Sequence, residues 1–214
     1  RFGTLTSFLI EVVNLLTGHL DRPGGAMFPQ QPFAGPPAAW TGLPYARYHS
    51  RVSGYPEVLG KLPVACLAEE METPGTGQIR ALVVLAGNPV VSNPDSERLG
   101  RALEGLDFLL SIDLYLNDTN RHADVILPGT SPFEESHYAS FLGAMTYRNT
   151  ARYSAPVLTP AGQPDEWRLM LELAYLLNTG KRATSAALAE FEDSIVAAAA
   201  RHYLAETDLD EAQV

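Results

Sequence analysis

Residues 80–89, Arg80-Ala-Leu-Val-Val-Leu-Ala-Gly-Asn-Pro89, contain the run that decides the fold. Residues 81–86 are continuously apolar and lack the polar alternation of a strand with one face in water. A run of this kind predicts a strand of a parallel sheet, buried on both faces. Gly87-Asn88-Pro89 then ends the strand abruptly, because glycine and proline interrupt regular structure.

Two more apolar runs follow at the spacing of an α/β fold. Phe108–Ile112 predicts a second buried strand, and Val125–Leu127 predicts a third, shorter one. Between the first two strands, Asn93-Pro94 indicates a helix start, with the Asn as cap and the Pro as first helical residue. The buried stripe of this helix is expected at Leu99, Ala102, Leu103 and Leu106. Strand, helix and strand with short connections form a right-handed parallel crossover.

The carboxyl ends of these strands are the candidate binding edge, since open α/β sheets bind ligands there. Gly87 and Asn88 follow the first strand, and Asp113 follows the second. A glycine lets a ligand approach the backbone, and an Asn amide both donates and accepts hydrogen bonds. A carboxylate at a strand end can accept hydrogen bonds from ribose hydroxyls or from the amino and ring N–H edge of guanine. On spacing alone, the favoured interpretation is that Gly-Asn-Pro is only a turn and that Asp113 is only a solvated loop residue.

The composition is that of an ordinary globular protein, with 214 residues, 46% of them apolar and 19% charged. A formal net charge of −10 argues against nucleic acid as a partner, although backbone N–H groups can still hold an anionic cofactor. The single cysteine, Cys66, cannot build a disulfide framework or an iron–sulfur cluster, and its apolar surroundings predict a buried, inert thiol. No apolar run approaches the length of a membrane span.

Helices and a long loop flank the predicted sheet. Residues 4–17 form an amphipathic pattern that ends at a glycine, and residues 57–71 predict a short helix interrupted at Pro63. Residues 21–63 are rich in proline, glycine and aromatics, which predicts a long loop that is mobile in isolation. Near the end, Asp165 caps a helix through Leu177, with Trp167, Met170, Leu171, Leu173, Ala174 and Leu177 inward, and a second helix covers residues 185–203 before an acidic tail.

Glu134 and His137 lie three apart in a segment, residues 132–138, that predicts a helical turn. This pair invites a metal interpretation. A di-iron bundle needs two such pairs and additional carboxylates, however, and the sequence contains no second pair. A surface or inter-domain role is therefore favoured for the two residues.

Several of these segments together resemble one family. Ala86-Gly-Asn-Pro89, Leu110-Ser-Ile-Asp-Leu-Tyr-Leu-Asn-Asp-Thr119 and Ala123-Asp-Val-Ile-Leu-Pro128 look like the molybdopterin oxidoreductase superfamily. These are molybdenum or tungsten enzymes related to formate dehydrogenase, periplasmic nitrate reductase and dimethyl sulfoxide reductase. The segment Asn14-Leu-Leu-Thr-Gly-His-Leu-Asp-Arg-Pro-Gly-Gly25 and the Asp165-Glu-Trp helix are similar to further parts of it, in the same order.

The resemblance implies a doubly wound, mainly parallel Rossmann-like α/β domain over residues 1–180, followed by a helix and acidic tail over residues 181–214. This domain would bind one arm of a bis(molybdopterin guanine dinucleotide) cofactor carrying Mo or W. The implied contact residues are Gly87, Asn88, Ile112, Asp113 and Asp165, with Asn88 near pyrophosphate or ribose, Asp113 on guanine or ribose, and Asp165 on guanine. Ile112 would contribute backbone contacts.

The resemblance also implies that the chain is a fragment of a larger enzyme. Catalytic residues, the metal's protein ligand and the cysteines of an iron–sulfur cluster would lie outside it, so the fragment alone is expected to be inactive and apo. Its partners would be the other domains of the parent enzyme, with the redox partner unspecified. The location of the parent enzyme is unknown: no leader is visible at the first residues, which favours the cytoplasm, but the N-terminus is expected to be truncated.

Two other interpretations remain open. One is a structural or electron-transfer subunit of the same fold that has lost its pterin, as in respiratory complex I. The other is an unrelated nucleotide-binding module, although the sequence has no Gly-x-Gly-x-x-Gly motif and no phosphate-loop lysine.

Residues 134–138 and 147–152 depart from the family's usual pattern, so no contact is assigned to that loop.

Overall fold

The computed structural model describes residues 2–28, 44–139, 146, 149–159 and 162–205. Its helices are α1 (Gly3–Leu16), α2 (Leu67–Glu72), α3 (Pro89–Ser92), α4 (Ser96–Glu104), α5 (Glu166–Thr179) and α6 (Ser185–Ala205). Its strands are β1 (Tyr45–His49), β2 (Pro56–Val58), β3 (Ala81–Leu85), β4 (Phe108–Ile112), β5 (Val125–Leu127), β6 (His137–Tyr138) and β7 (Tyr153–Ser154). Single 3₁₀ turns cover Val64–Cys66 and Asn120–His122. The predicted acidic tail lies outside the described residues.

The three predicted strands form one parallel sheet in the order β3-β4-β5. Leu85 pairs with Ile112, and Ile112 pairs with Leu127, so the three carboxyl ends lie side by side. With helices packed against it, the sheet gives a mixed α/β fold of the Rossmann-like class. The expectation of neighbouring parallel strands is therefore confirmed.

The main core lies between one face of this sheet and the helices α2, α3 and α4. Val84 and Leu109 from the sheet pack with the α4 residues Leu99, Ala102 and Leu103. All five are less than a tenth exposed. The predicted stripe of α4 is confirmed, with Leu106 half-buried at its end. At about 25 cal/mol for each Å² of apolar surface, this burial is the main stabilisation of the sheet.

The opposite face of the sheet is covered in part. Leu110 and Ile112 are buried beneath α5 and the start of α6, around a cavity of about 420 Å³. Val83 and Leu85 on β3, by contrast, are 41% and 45% exposed. The prediction that the first strand is buried on both faces is therefore wrong for the described residues, because no described element covers its second face.

The prediction of where the crossover helix begins is also wrong. Asn88 is the N-cap of the short helix α3, and Pro89 is its first residue. The longer helix α4 starts at Ser96, where the Asp95 side chain accepts a hydrogen bond from the Arg98 N–H. Asn-Pro occurs twice in this stretch, and the first copy follows the strand so closely that it caps a turn of its own.

Residues 21–63 contain more regular structure than the sequence suggests. β1 and β2 pair antiparallel, and the buried Glu57 accepts hydrogen bonds from Nε and Nη2 of Arg47 at 3.3 and 3.0 Å. β2 occupies the start of the predicted helix over residues 57–71, and only Leu67–Glu72 of that range is α-helical. Residues 29–43, to which the expected mobility also applies, lie outside the described part.

The C-terminal helical pair is confirmed. Tyr175 of α5 and Phe191 of α6 meet edge to face, with ring centroids 5.6 Å apart. Leu171 and Leu188 are buried, but Trp167 and Leu177 are 52% and 75% exposed, against the prediction that both point inward. Throughout the described ranges, no helix is both long and apolar enough to cross a membrane.

Candidate functional site

The candidate site lies at the carboxyl edge of the sheet, where β3 and β4 end next to each other. The Ala86 N–H donates to the Ile112 carbonyl at 2.8 Å, so the chain leaves β3 directly beside the end of β4. Ala86 has a φ of 46°, in the left-handed region that residues with a Cβ rarely adopt. Such strain is found most often at functional sites. The edge therefore brings Gly87, Asn88 and Asp113 together.

The side-chain oxygen of Asn88 is hydrogen-bonded, whereas its side-chain nitrogen is available. Its Oδ1 accepts a hydrogen bond from Thr119 Oγ1 at 2.8 Å, and Thr119 Oγ1 in turn accepts from the Val90 N–H at 3.0 Å. The Nδ2 group of Asn88 and the backbone N–H groups of Gly87 and Asn88 have no acceptor among the residues that the structure describes. Three donors are thus available at the end of β3.

The neighbouring protein atoms do not require a glycine at position 87, because they leave room for a Cβ. A Cβ built there would lie 3.6 Å from the Leu85 carbonyl oxygen and 3.7 Å from Val84 Cγ1, which are ordinary contact distances. The small residue at this position leaves space beside the backbone N–H groups. That space is what the close approach of a ligand needs.

Asp113 is half-buried, and its carboxylate is held by the loop that follows β4. Oδ1 accepts from the Tyr115 N–H at 3.0 Å, and Oδ2 accepts from Asn117 Nδ2 at 3.0 Å. Each oxygen keeps a lone pair for a further donor, because a carboxylate accepts about four hydrogen bonds. The Asp113 carboxylate is therefore held in one orientation, and its oxygens can still accept hydrogen bonds from a ligand.

A polar network that sequence reasoning missed joins Asp113 to Asn88. Asn117 Oδ1 accepts from the Thr119 and Asn120 N–H groups, both at 2.9 Å, and Thr119 Oγ1 donates to Asn88. Thr119 and Asn120 are fully buried. The signal in the sequence is the polar run from Asn117 to Asn120 directly after a strand, since Asn side chains commonly accept hydrogen bonds from backbone N–H groups in turns.

Asp165 is the N-cap of α5, and its Oδ1 accepts from the Arg168 N–H at 2.7 Å. Capping was the simpler of its two expected roles. The next residue, Glu166, packs so closely on Gly129 that a Cβ there would lie 2.8 Å from Glu166 Cγ. Burial, together with the nearby charges of Glu135 and Asp113, raises the pKa of Glu166. The charges of Glu166 and Asp113 therefore interact across this end of the sheet.

Ile112 belongs to the sheet rather than to the open edge. Its carbonyl is bonded to the Ala86 N–H, and its side chain, 1% exposed, lines the cavity beneath α5. The carbonyl is therefore already engaged, which limits the backbone contacts that were expected from this residue.

Other candidate groups lie away from this edge. Cys66 is buried as predicted, and burial raises the pKa of its thiol, which keeps it protonated. Glu134 lies in a turn and His137 in β6, so the helical spacing predicted for them is wrong. Within the described ranges, no group of three or more His, Cys, Asp or Glu side chains could hold a metal ion.

Comparisons with known proteins match this chain to one family. The family model described as molybdopterin oxidoreductase matches residues 3–174. Over 114 residues the chain is 33% identical to the assimilatory nitrate reductase catalytic subunit of Bacillus subtilis (strain 168), covering 53% of this chain and 15% of the relative. Over 104 residues it is 32% identical to the F420-dependent formate dehydrogenase 1 subunit alpha of Methanococcus maripaludis, and the match covers 49% of this chain and 15% of that relative.

A third relative is the dimethyl sulfoxide/trimethylamine N-oxide reductase of Rhodobacter capsulatus, 29% identical over 86 residues, which are 35% of this chain and 10% of the relative. The chain thus spans only a small part of these relatives, between 10% and 15% of their length. The family model, however, covers most of its residues. This chain belongs to the molybdopterin oxidoreductase family.

Proposed function

We propose that residues 1–180 bind the guanosine-diphosphate arm of a molybdopterin guanine dinucleotide within a longer molybdenum or tungsten oxidoreductase. Family membership implies a molybdopterin-type cofactor. The observation that carries the finer proposal is the hydrogen-bonded link from Asn88 through Thr119 and Asn117 to Asp113. It holds donors and acceptors at neighbouring strand ends.

The donors at the end of β3 fit a pyrophosphate. Backbone N–H groups and amides bind phosphate oxygens without needing a lysine, as at other anion sites. The Gly87 N–H, the Asn88 N–H and Asn88 Nδ2 are available there, and Gly87 leaves room for close approach. We therefore assign the pyrophosphate or the adjoining ribose to this end of the site.

The acceptors at the end of β4 fit the other half of the nucleotide. Asp113 has lone pairs for the guanine amino and ring N–H groups, or for two ribose hydroxyls. Glu166 adds a second carboxylate close by, and Asp165 remains a proposed guanine contact at the start of α5. Negative charge would repel a phosphate here, which is why the base or sugar belongs on this side.

The chain's own residues bind and orient the nucleotide. When bound, the metal centre of such a cofactor supplies two-electron chemistry, either oxygen-atom or hydride-like transfer. We place the metal's protein ligand and any iron–sulfur cysteines outside residues 1–214, so that this segment acts as a holder and has no redox activity with artificial dyes by itself. The substrate belongs to the parent enzyme.

The test compares Asp113→Asn with Asp118→Asn in the longer protein that contains these residues and has the length of the curated relatives. We call it the family-length protein. Asp118 is exposed and makes no side-chain hydrogen bond among the described residues, so it is the matched control in the same loop. Loss of a charged hydrogen bond, worth roughly 1.5–3 kcal/mol, should weaken cofactor retention at least ~10-fold in Asp113→Asn only. Molybdenum, tungsten and guanine nucleotide are measured per protein. Equal retention in both variants would refute the role of Asp113.

The same measurement on the unmodified family-length protein separates the proposal from the pterin-less alternative. A protein that holds metal and guanine nucleotide supports cofactor binding. A correctly folded protein that contains neither, even after expression with added molybdate or tungstate, supports a structural or electron-transfer subunit instead.

A further inference from the structure

Asn120 is a fully buried amide in the loop that follows β4. Its Oδ1 accepts a hydrogen bond from the Asn117 N–H, and its Nδ2 donates to the Tyr115 carbonyl, both at 2.7 Å. Buried amides are hydrogen-bonded in stable proteins, because an unpaired one has lost its bonds to water without replacement. The Asn120 side chain therefore fastens two points of the loop to one buried anchor.

Both of these points belong to residues that hold Asp113. The Tyr115 N–H donates to Oδ1 of Asp113, and Asn117 Nδ2 donates to Oδ2, both at 3.0 Å. Packing does little to fix this stretch of the loop, since Tyr115 and Leu116 are 77% and 82% exposed. The hydrogen bonds of Asn120 therefore hold in place the two residues that donate to Asp113.

The orientation of the Asn117 amide follows from the same arrangement. Its Oδ1 accepts from the N–H groups of Thr119 and Asn120, so the other end of the amide, Nδ2, is turned toward Asp113. The Asn117 N–H is bonded in return to Asn120 Oδ1, and the two asparagines hold each other as a reciprocal pair. The Asp113 carboxylate consequently meets a donor of Asn117 and not its oxygen, which would repel it.

We infer that Asn120 is a positioning residue for nucleotide binding. By holding Tyr115 and Asn117, it directs the free lone pairs of Asp113 toward the guanine edge or the ribose. Asn120 is 0% exposed and touches no ligand, so its effect on binding passes through Asp113. The inference rests on the proposed function and extends it to a residue beneath the site.

A purely stabilising role for Asn120 has a different consequence. An asparagine that only stabilises the loop lowers the fraction of folded protein when it is replaced, and the remaining folded molecules bind as well as the wild type. A positioning residue changes binding by the folded molecules, and it does so only while Asp113 is present to respond. The two roles are therefore separated by measuring binding on folded protein, with and without the Asp113 carboxylate.

The experiment is a double-mutant cycle of Asn120→Ala and Asp113→Asn in the family-length protein, purified with its cofactor. The quantity measured is the rate at which guanine nucleotide leaves the folded protein during dialysis. Each single variant should raise this rate at least ~10-fold, because each disturbs a hydrogen bond to a charged group. The double variant should match the faster single variant to within about 3-fold. Multiplied effects, about 100-fold or more, would overturn the inference, because Asn120 would then act without Asp113.

Two control variants isolate the position and the stability of the substituted residue. Asn178 Nδ2 also donates to a backbone carbonyl, that of Ala174 at 2.8 Å, but it does so on the exposed side of α5, so Asn178→Ala should leave the rate unchanged. Leu103→Ala weakens the main core and should also leave the rate in folded protein unchanged. A rate raised as much by Leu103→Ala as by Asn120→Ala would show a purely stabilising role and overturn the inference.

Asn120→Asp keeps the fold within reach if the alanine variant does not fold. Aspartate has nearly the same shape and still accepts from the Asn117 N–H, but it cannot donate to the Tyr115 carbonyl, so the rate should again rise at least ~10-fold. Wild-type rates in the folded Asn120 variants, with a raised rate in Asp113→Asn, would overturn the inference and leave the proposed function standing. A wild-type rate in Asp113→Asn would refute the proposed function itself, and the inference with it.

Discussion

Thr119 Oγ1 donates a hydrogen bond of 2.8 Å to Oδ1 of Asn88, across 31 positions of sequence. The hydroxyl oxygen also accepts from the Val90 N–H, and the residue is fully buried. Because Thr119 belongs to the loop after β4 and Asn88 follows β3, this contact joins two strand ends into one rigid edge. The proposed nucleotide site depends on that connection.

Thr119→Val tests the connection directly. Valine keeps the shape but leaves the Val90 N–H and Asn88 Oδ1 without a partner, which should lower the free energy of unfolding by roughly 1–3 kcal/mol. Urea denaturation measures the loss. Thr119→Ser retains the hydroxyl and serves as the control. A valine variant as stable as the serine variant contradicts a bonding role for this hydroxyl.

Asn88→Asp separates fold from ligand binding. The carboxylate still accepts from Thr119, so unfolding free energy should change by less than about 1 kcal/mol. The donor Nδ2 is lost, however, and a negative charge faces the proposed phosphate, so retention of guanine nucleotide should fall at least ~10-fold. Asn93→Asp, at the other end of α3, is the control. Full retention in Asn88→Asp excludes a phosphate contact at this residue.

Glu166→Gln tests the electrostatics of the edge. Burial and the charges of Glu135 and Asp113 raise the native pKa of Glu166 above its ordinary value of 4.5. The native state therefore binds this proton more tightly than the unfolded chain, and stability falls as pH rises from about 4.5 through the native pKa. Glu166→Gln should remove this fall, whereas the exposed Glu190→Gln should not. Denaturant midpoints between acid and neutral pH measure it, and parallel pH curves for the three proteins would contradict the account.

The opposite dependence of stability on pH is expected for Glu57. Hydrogen bonds from Arg47, and then from the Gly60 N–H, lower the native pKa of Glu57 below 4.5. This carboxylate therefore stabilises the fold above pH 4.5, and the contribution is lost as pH falls through the native pKa. Glu57→Gln should lower the melting temperature at neutral pH. It should also reduce the fall in melting temperature as the pH is lowered through the native pKa. Glu97→Gln, whose side chain is 91% exposed, is the control. Equal melting temperatures would contradict the role of the pair.

The sheet could be predicted from sequence because its first two strands are runs of mostly apolar residues that lack the polar alternation of a strand with one face in water. Residues 81–86 and 108–112 therefore indicated both strand type and direction, and the carboxyl-edge rule then placed Asn88 and Asp113 together. The failure at Asn93-Pro94 has a physical reason. The two Asn-Pro pairs carry the same local signal, but only Asn88 is the N-cap of a helix, and the side chain of Asp95 caps α4 instead.

The rest of the site could not be predicted from local pattern. The bond between Thr119 and Asn88 and the approach of Glu166 to Gly129 depend on how distant segments pack. The exposure of Val83 and Leu85 could not be predicted either, because an apolar run does not show whether a layer covers the second face of its strand.

The most direct test of the account is a structure of the family-length protein with its cofactor bound, and the distance to measure runs from the Asp113 carboxylate to the nucleotide. We predict guanine N–H groups or ribose hydroxyls within about 3.2 Å of Asp113, and a phosphate oxygen within the same distance of Asn88 Nδ2. A nucleotide bound elsewhere, with both side chains facing only water or protein, would contradict the central claim.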